Sequence, residues 1–319
     1  LITTAGNPVL SAPNGNYMDQ ALAGLDFMVC IDIYINETTQ HADIILPPTS
    51  ALEHDHYDLA FHRLAVHNTA RFNEAVFEPD EGTRHDWEIF NELGLAVAAR
   101  KGMEVKPLPS PDKLIDRGIQ RGPYSAAAGH ELELTLDKIK QHPHGLDIGP
   151  LQPSLPERLC TSDGKIRLMA DYIVEDLARL GDEKQETDKD ELLLIGRRHI
   201  RSNNSWMHNS HRLVKGKPRW QLLMHPDDMA AHQLQDQSQV RIRSRVGEVQ
   251  TQVLASDEVM PGVVSLPHGW GHKRQGVALN IAAEQGGVSC NDLTDDKLVD
   301  RASGNSALNG VPVKVFGIQ

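Results

Sequence analysis

The first fifty residues alternate short apolar runs with turn-forming residues. Apolar runs lie at 1–4, 27–33 and 43–46, and a short helix is predicted at 17–24. The unbroken apolar run at 27–33 is typical of a strand that is buried on both faces of a sheet. Strand, helix and strand in this order predict βαβ units and a parallel sheet.

A longer helix is predicted at 84–100, because apolar side chains recur there at helical spacing on one face. These side chains are Trp87, Phe90, Leu93 and Val97. Residues 103–181 are interrupted by proline and glycine, which predicts loops and short helices. The charged stretch 182–191 contains no apolar residue and predicts a linker. We therefore expect a domain at 1–181 and a second domain at 192–319.

The part of the chain after this linker is dominated by short predicted strands. They lie at 192–195, 240–245, 249–254, 263–266 and 311–316. The runs on either side of the turn at 246–248 alternate apolar and polar residues, which predicts a hairpin. A short helix is predicted to begin at His225-Pro226. Many short strands in one region predict a closed or nearly closed β-barrel.

Composition narrows the class of protein. The chain has 319 residues, 39% of them hydrophobic, and a net charge of −12. Such an acidic chain is not a general nucleic-acid binder, and no apolar run is long enough for membrane insertion. Its three cysteines are far apart, which excludes a disulfide scaffold and an iron–sulfur cluster held by these cysteines alone. The chain does not begin with Met, and we expect a fragment whose N-terminal part is missing.

The segment 192–219 stands out against this acidic background. It carries seven Arg and Lys residues and no acidic residue. A basic loop directly after a strand, with Gly196 allowing close approach, suits phosphate or another anion. The amides of Asn203, Asn204 and Asn209 match the edges of a heterocycle. The alternative is a solvated surface loop.

Two glycine-containing turns are weaker candidates. In 267–274, glycines allow backbone amides to face a ligand, although a tight barrel corner with Trp270 in the core is equally consistent with the spacing. Gly6-Asn7-Pro8 followed by Asp32 has the order in which a dinucleotide domain holds phosphate and ribose. Only one glycine is present in that turn, and Asp32 is equally suited to cap its own turn.

A group of histidines and carboxylates at 53–67 is the alternative metal site. His54 and His56 alternate along the chain next to Glu53, Asp55 and Asp58. Such a cluster is able to bind zinc and would make the protein a zinc-dependent hydrolase, but no HExxH pattern is present. Solvated histidines on a strand or loop are the simpler interpretation.

Taken together, the motifs resemble the C-terminal half of the molybdopterin oxidoreductases, the dimethyl-sulfoxide-reductase and formate-dehydrogenase superfamily. The resemblance rests on GNP at 6–8 and IDIYINETTQHADIILPPTSALE at 31–53. It continues with IGRRHIRSNNSWMHN at 195–209 and HPDD at 225–228. It ends with MPGVVSLPHGWGH at 260–272 and SCNDLTD at 289–295. Each motif alone is unspecific, but their order covers nearly the whole chain.

The resemblance implies a partial dinucleotide-type α/β domain followed by a six-stranded double-psi β-barrel. It also implies molybdenum, or tungsten, carried by two molybdopterin guanine dinucleotides. The residues expected at this cofactor are Gly6, Asn7, Pro8, Asp32, Glu37, Thr38, Asp43, Gly196, Arg197, His199, Arg201, Asn203, Asn204, Ser205, Trp206, His268, Gly269, Trp270 and Asn291. Asp32 is expected at a guanosine, the loop 196–206 at pterin and pyrophosphate, and 268–270 with Asn291 at the second pterin.

In the family, the metal ligand and any iron–sulfur cluster belong to the N-terminal half. We therefore expect no metal ligand and no identifiable catalytic residue in this chain, which would be inactive alone. Its partners would be the missing half or a subunit carrying the metal ligand, and an electron-transfer partner. The expected chemistry is a two-electron redox reaction of the formate-oxidising or the nitrate- or S/N-oxide-reducing type, and the expected location is the cytoplasm. A non-catalytic cofactor-binding or assembly subunit is a further alternative.

Overall fold

The structure is a computed structural model that describes residues 1–182 and 190–318. The chain forms two compact units, one made of Leu1–Ile45 with Leu168–Gln319 and the other of Leu46–Arg167. Most of the predicted linker at 182–191 lies outside the described residues. The predicted division into domains at 1–181 and 192–319 stays a prediction.

The first unit begins with a small sheet and two helices. In chain order these are β1 (Ile2–Thr4), α1 (Pro8–Ser11), α2 (Gly15–Ala23), β2 (Val29–Ile31) and β3 (Ile44–Leu46). Pro8 stands in the first turn of α1, and the Asn14 side chain caps α2 by accepting from the Tyr17 amide. β1 pairs in parallel with β2, which lies between β1 and β3. The predicted parallel pairing is confirmed.

The predicted burial of the whole run 27–33 is wrong. β2 is only three residues long, and Phe27 and Ile33 are 53% and 47% exposed in the loops beside it. Ile2 in β1 is also exposed. The core of this part consists of a few buried side chains, namely Val9, Leu22, Met28 and Cys30.

The second unit contains short strands and helices. They are β4 (His56–Tyr57), β5 (Thr69–Ala70), β6 (Phe72–Asn73), α3 (Asp86–Arg100), α4 (Pro111–Gln120), α5 (Leu136–Lys140) and β7 (Leu146–Asp147). β4 pairs antiparallel with β6, and β5 pairs antiparallel with β7. Their core is formed by Ala70, Phe72, Leu134, Leu136 and Ile139.

The helix predicted at 84–100 is confirmed as α3 (Asp86–Arg100), but the apolar positions that predicted it do not form a buried face. Phe90 and Val97 are exposed, whereas Ile89 and Ala98 are buried. The helix carries apolar residues on several sides, so spacing alone does not single out one face. Its start is fixed by a capping box between His85 and Glu88.

The remainder of the first unit is built around a barrel. Its elements are α6 (Asp171–Asp182), β8 (Leu192–Arg197), α7 (His211–Val214), β9 (Leu222–Met224), α8 (Pro226–Ala231), β10 (Gln239–Arg243), β11 (Glu248–Ala255), β12 (Val263–Pro267), α9 (Asn280–Glu284) and β13 (Val311–Gly317). Six strands close in the order β10-β11-β9-β12-β8-β13. β8 pairs in parallel with β12 and β9 in parallel with β11, while β10 and β11 form the predicted antiparallel hairpin.

Side chains at every second position of the strands fill the interior of the barrel. In β11, Val249, Thr251 and Val253 are buried and the residues between them are more exposed. The predicted α/β part and the six-stranded double-psi barrel are confirmed. Within residues 1–182 and 190–318, no helix has both the length and the apolar character needed to cross a membrane.

Candidate functional site

The basic loop and the second glycine turn leave the barrel at the same edge. β8 and β12 run in parallel, and Arg197 at the end of β8 lies opposite Pro267 at the end of β12. The chain after each strand therefore begins side by side with the other. We call residues 198–209 the basic loop and residues 268–272 the glycine turn.

The backbones of these two segments are in close contact. Gly269 has a φ of +82°, and a Cβ atom placed on it would overlap the carbonyl oxygen of Asn204 and lie 2.6 Å from the carbonyl carbon. Asn203 and Asn204 also have positive φ angles, which asparagine tolerates better than most residues. Gly269 is thus required for packing between the two loops, a role that the sequence did not predict.

The Gly6-Asn7-Pro8 turn reaches the same place. The Asn7 amide donates to Oε2 of Glu37 at 2.8 Å and to Oγ of Ser205 at 3.3 Å. Thr38 donates through its hydroxyl to Oδ1 of Asn7 at 2.7 Å and accepts from the Val9 amide. Glu37 and Thr38 are fully buried, so their side chains hold the turn from inside the protein.

A chain of hydrogen bonds connects these segments through two buried histidines. Oε1 of Glu37 lies 2.9 Å from Nδ1 of His272. Nε2 of His272 lies 2.9 Å from Nδ1 of His208, whose Nε2 lies 2.9 Å from Oγ of Ser202. The His208 ring also stacks on Trp270, with centroids 3.9 Å apart. We call Ser202, His208, His272 and Glu37 the buried relay.

Burial and hydrogen bonding set the charges in the relay. Burial alone would raise the pKa of Glu37, but the hydrogen bonds from His272 and Asn7 outweigh it and keep this pKa below its usual range. Burial lowers the pKa of His208 to about 3, so this imidazole is neutral near pH 7. The relay therefore contains an ionised carboxylate and at least one neutral histidine.

The basic loop is a region of concentrated positive charge. The pKa of His199 is lowered by burial and by the nearby guanidinium groups of Arg219, Arg201 and Arg197. Within residues 192–219, four exposed cations make no side-chain hydrogen bond or ion pair among the described residues, namely Arg201, Arg212, Lys215 and Lys217. An anion with several charges is the natural counterpart of such a surface.

Arg197 and Arg198 have different surroundings from the exposed cations. The Arg197 guanidinium donates to the main-chain carbonyls of Ser265, Gln221 and Arg219 at 2.6 to 3.1 Å. Burial lowers its pKa to about 10. Arg197 therefore ties β8 to neighbouring carbonyls, whereas Arg198 is exposed and donates to the Asn204 side chain.

His268 and Asn291, which the sequence predicts at the second pterin, also lie in the first unit. Asn291 is buried and donates to the carbonyl of Ala12 at 2.9 Å. Burial and the charge of Arg198 lower the pKa of half-buried His268, which hydrogen-bonds to Asn291. Arg274 bridges Asp19 and Asp292 at 3.0 and 2.7 Å.

Several predicted residues have only local roles in this structure. Asp32 accepts from the Tyr34 amide and from the Asn36 side chain, so it caps its own turn, and burial raises its pKa. Asp43 is exposed and accepts from the Met28 amide. Gly196 is exposed at the end of β8, and Trp206 is 47% exposed. The contacts of these residues with a cofactor stay predictions.

Sequence reasoning missed Ser202, His208 and His272 as one unit. They come from the basic loop and the glycine turn, and no spacing rule connects residues so far apart in sequence. The only signal was the placement of His208 and His272 inside the two motifs selected for other reasons.

The alternative zinc site has no geometric support. No group of three or more His, Cys, Asp or Glu in the part of the chain that the structure describes is arranged to hold a metal ion. In the second unit, His54 lies near the Asp55 carbonyl and edge-on to the His85 ring, and His62 bonds to the Thr69 hydroxyl.

Comparison with known proteins gives matches to both halves of the chain. The family model described as "Molydopterin dinucleotide binding domain" matches residues 192–312, and the one described as "Molybdopterin oxidoreductase" matches residues 1–96. "Probable oxidoreductase YoaE" of Bacillus subtilis (strain 168) is 26% identical over 310 residues, which are 95% of this chain and 42% of that protein. The "Assimilatory nitrate reductase catalytic subunit" of the same organism is 35% identical over 97 residues, which are 30% of this chain and 13% of that protein.

A solved structure shows the same fold. The structure titled "Acetylene Hydratase from Pelobacter acetylenicus" matches with a TM-score of 0.70 and 17% identity, covering 99% of this chain and 44% of that one. The chain thus spans less than half the length of these relatives. With both family models matched in order and the barrel present, the chain belongs to the molybdopterin oxidoreductase family.

Proposed function

We propose that this chain binds a molybdopterin guanine dinucleotide through the basic loop, the glycine turn and the Gly6-Asn7-Pro8 turn, as part of a molybdenum or tungsten oxidoreductase. The convergence of these three segments carries the proposal. Each was selected separately from the sequence. Within the first unit, Ser205 of the basic loop bonds to Asn7, and Asn204 packs on Gly269.

Charge supports a phosphate-bearing ligand at this edge. Arg201 in the basic loop is exposed and makes no side-chain hydrogen bond or ion pair among the described residues, in a protein whose net charge is −12. Hydrogen bonds to a charged group contribute about 1.5–3 kcal/mol each, so a few such contacts retain a dinucleotide without a covalent bond.

Two unsatisfied polar groups support a further ligand contact near the glycine turn. Nε1 of Trp270 and Oγ of Ser289 are buried and have no hydrogen-bond partner in the described residues. A buried polar group without a partner costs about 1–3 kcal/mol, and a pterin offers both donors and acceptors to such groups. The residues present therefore fit the cofactor.

In this proposal, each of the three segments has its own task. Arg201, His199 and the Asn203–Asn204 amides hold pyrophosphate and pterin, and His268 and Asn291 face a second pterin. Asn7 and Glu37 keep the loop in position. When bound, the cofactor supplies two-electron redox chemistry, and the protein binds and orients it. The metal ligand and any iron–sulfur cluster would come from the remainder of the polypeptide or from a partner subunit.

Titration of the full chain with GDP, which carries the guanosine and pyrophosphate of the cofactor, tests the proposal. Calorimetry is expected to show binding of GDP, and binding that is weaker by at least about tenfold in Arg201→Glu. The matched control is Arg100→Glu, since Arg100 is an exposed cation at the end of α3. Equal GDP affinity in both variants, or no GDP binding by the unaltered chain, overturns the proposal.

A further inference from the structure

The hydrogen bonds of the buried relay form a continuous chain through the protein interior. From Ser202 it passes through His208 and His272 to Glu37, and from there Asn7 continues to Ser205. Both ends therefore return to the basic loop, three residues apart. The Glu37 and His272 side chains are 0% and 1% exposed, and His208 is 1% exposed.

The donors and acceptors of the relay are satisfied in two protonation states, which differ by one proton. In the first state, Glu37 is ionised and His272 donates to it from Nδ1. His208 donates from Nδ1 to Nε2 of His272, and the Ser202 hydroxyl donates to Nε2 of His208. Every ring nitrogen is satisfied, and the relay has a net charge of −1.

In the second state, His272 carries one more proton. Its Nε2 now donates to Nδ1 of His208, and Nε2 of His208 donates to the Ser202 oxygen. The ring nitrogens are again all satisfied, and the relay is neutral overall because the imidazolium faces the carboxylate. His208 stays uncharged in both states and changes only its tautomer.

We propose that the buried relay is a proton store that takes up and releases one proton through the Ser202 hydroxyl at the basic loop. On uptake, a proton joins the Ser202 oxygen while the hydroxyl proton passes to Nε2 of His208. The proton on Nδ1 of His208 passes to Nε2 of His272. No electrons move, and the stored charge ends beside Glu37.

Electrostatics favours the stored proton. A carboxylate that is removed from water is costly unless a positive charge compensates it. Burial is the main factor that opposes protonation of His208, followed by His272, Arg219 and His268, whereas a hydrogen bond with the Gly269 main chain favours it. Because His208 stays neutral, the added charge lies at His272, next to the Glu37 carboxylate.

The inference deepens the proposed function, since two-electron oxidations of small molecules release protons together with electrons. A store whose Ser202 end belongs to the basic loop would accept such a proton there. The relay itself, however, consists only of residues of this chain, so it is testable without cofactor.

Nuclear magnetic resonance of the full chain labelled with ¹⁵N-histidine provides the test. On acidification, His208 is expected to change from the Nδ1–H to the Nε2–H tautomer in step with the gain of a proton by His272. In Glu37→Gln, this shared midpoint is expected to move to lower pH by about one pH unit or more. In Glu104→Gln, a matched change at an exposed glutamate, the midpoint stays in place.

Ser202→Ala tests the other end of the relay and covers the case in which Glu37→Gln does not fold. Without the hydroxyl, Nε2 of His208 loses its donor in the first state and its acceptor in the second, and the shared midpoint is expected to move. A single tautomer of His208 throughout the titration overturns the proposal, as does a midpoint that neither variant moves. Because the spectra need no cofactor, these outcomes are independent of GDP binding.

Discussion

The close packing of the basic loop on the glycine turn makes Gly269→Ala a sharp perturbation. A methyl group at this position would overlap the Asn204 oxygen and lie 2.6 Å from its carbonyl carbon. Ordinary van der Waals contact begins at 3.4 Å, so the Asn204 backbone has to move by about 1 Å. The neighbouring atoms are main-chain atoms, which cannot rotate away as a long side chain can.

Gly262→Ala is the matched control for this change. Gly262 has a φ of +83°, almost identical to that of Gly269, but no atom lies within 4 Å of the position that its added methyl group would occupy. Both variants carry the backbone cost of a left-handed alanine, about 1–2 kcal/mol. Only Gly269→Ala adds the steric overlap, which we expect to cost about 2 kcal/mol more.

Urea unfolding of both variants, followed by circular dichroism, measures this difference in the free energy of unfolding. Gly269→Ala is also expected to weaken GDP binding, because displacement of Asn204 carries Ser205 away from Asn7. Equal free energies of unfolding for the two variants would refute the idea that contact between the two loops constrains Gly269.

Single side chains give three other predictions. Arg197→Ala is expected to reduce the free energy of unfolding by about 2–4 kcal/mol, because three carbonyls lose their donor. The control, Arg212→Ala at an exposed arginine, is expected to change it by less than about 0.5 kcal/mol. Urea unfolding of both variants measures the difference. Burial lowers the pKa of His208 to about 3 in the folded protein, so the unfolded chain binds more protons below pH 6.5. The free energy of unfolding is therefore expected to fall by up to about 2–3 kcal/mol between pH 6.5 and 4.5. In His208→Gln, its dependence on pH in this range is expected to be smaller. Asp292 is expected to have the opposite effect on stability, because burial raises its pKa to about 6. Its contribution to the free energy of unfolding falls as the pH rises from 4 to 7, and Asp292→Asn should remove that decline. A pH dependence of stability that a variant leaves unchanged contradicts the assignment for that residue.

Local patterns were sufficient for much of the fold. Alternation at 240–254 predicted the β10–β11 hairpin, and the proline with acidic residues at 225–228 predicted the start of α8. Burial was predicted less well. Apolar runs such as 27–33 extend beyond the three-residue strand β2, and the helical spacing in α3 did not distinguish Phe90, which is exposed, from Ile89, which is buried.

The candidate site was predictable as segments but not as contacts. The charge of the basic loop and the two glycines of the glycine turn are visible in the sequence. The role of Arg197 was not, because main-chain carbonyls of β12 and of the segment before β9 decide where its guanidinium lies. Glu37 similarly appeared as part of a motif, but only the fold brings it to His272, which is 235 residues away.

The position of Glu37 also explains how a buried carboxylate is compatible with an anion-binding edge. A negative charge directly below the basic loop would repel a phosphate if it faced solvent. Glu37 instead directs both oxygens into the protein, one to His272 and one to Asn7, and has no exposed surface. The field that an incoming anion meets is therefore that of the exposed Arg198 and Arg201 in the basic loop. A proton taken up by the relay neutralises the carboxylate's charge and makes the edge more positive, so anion binding and proton uptake should favour each other.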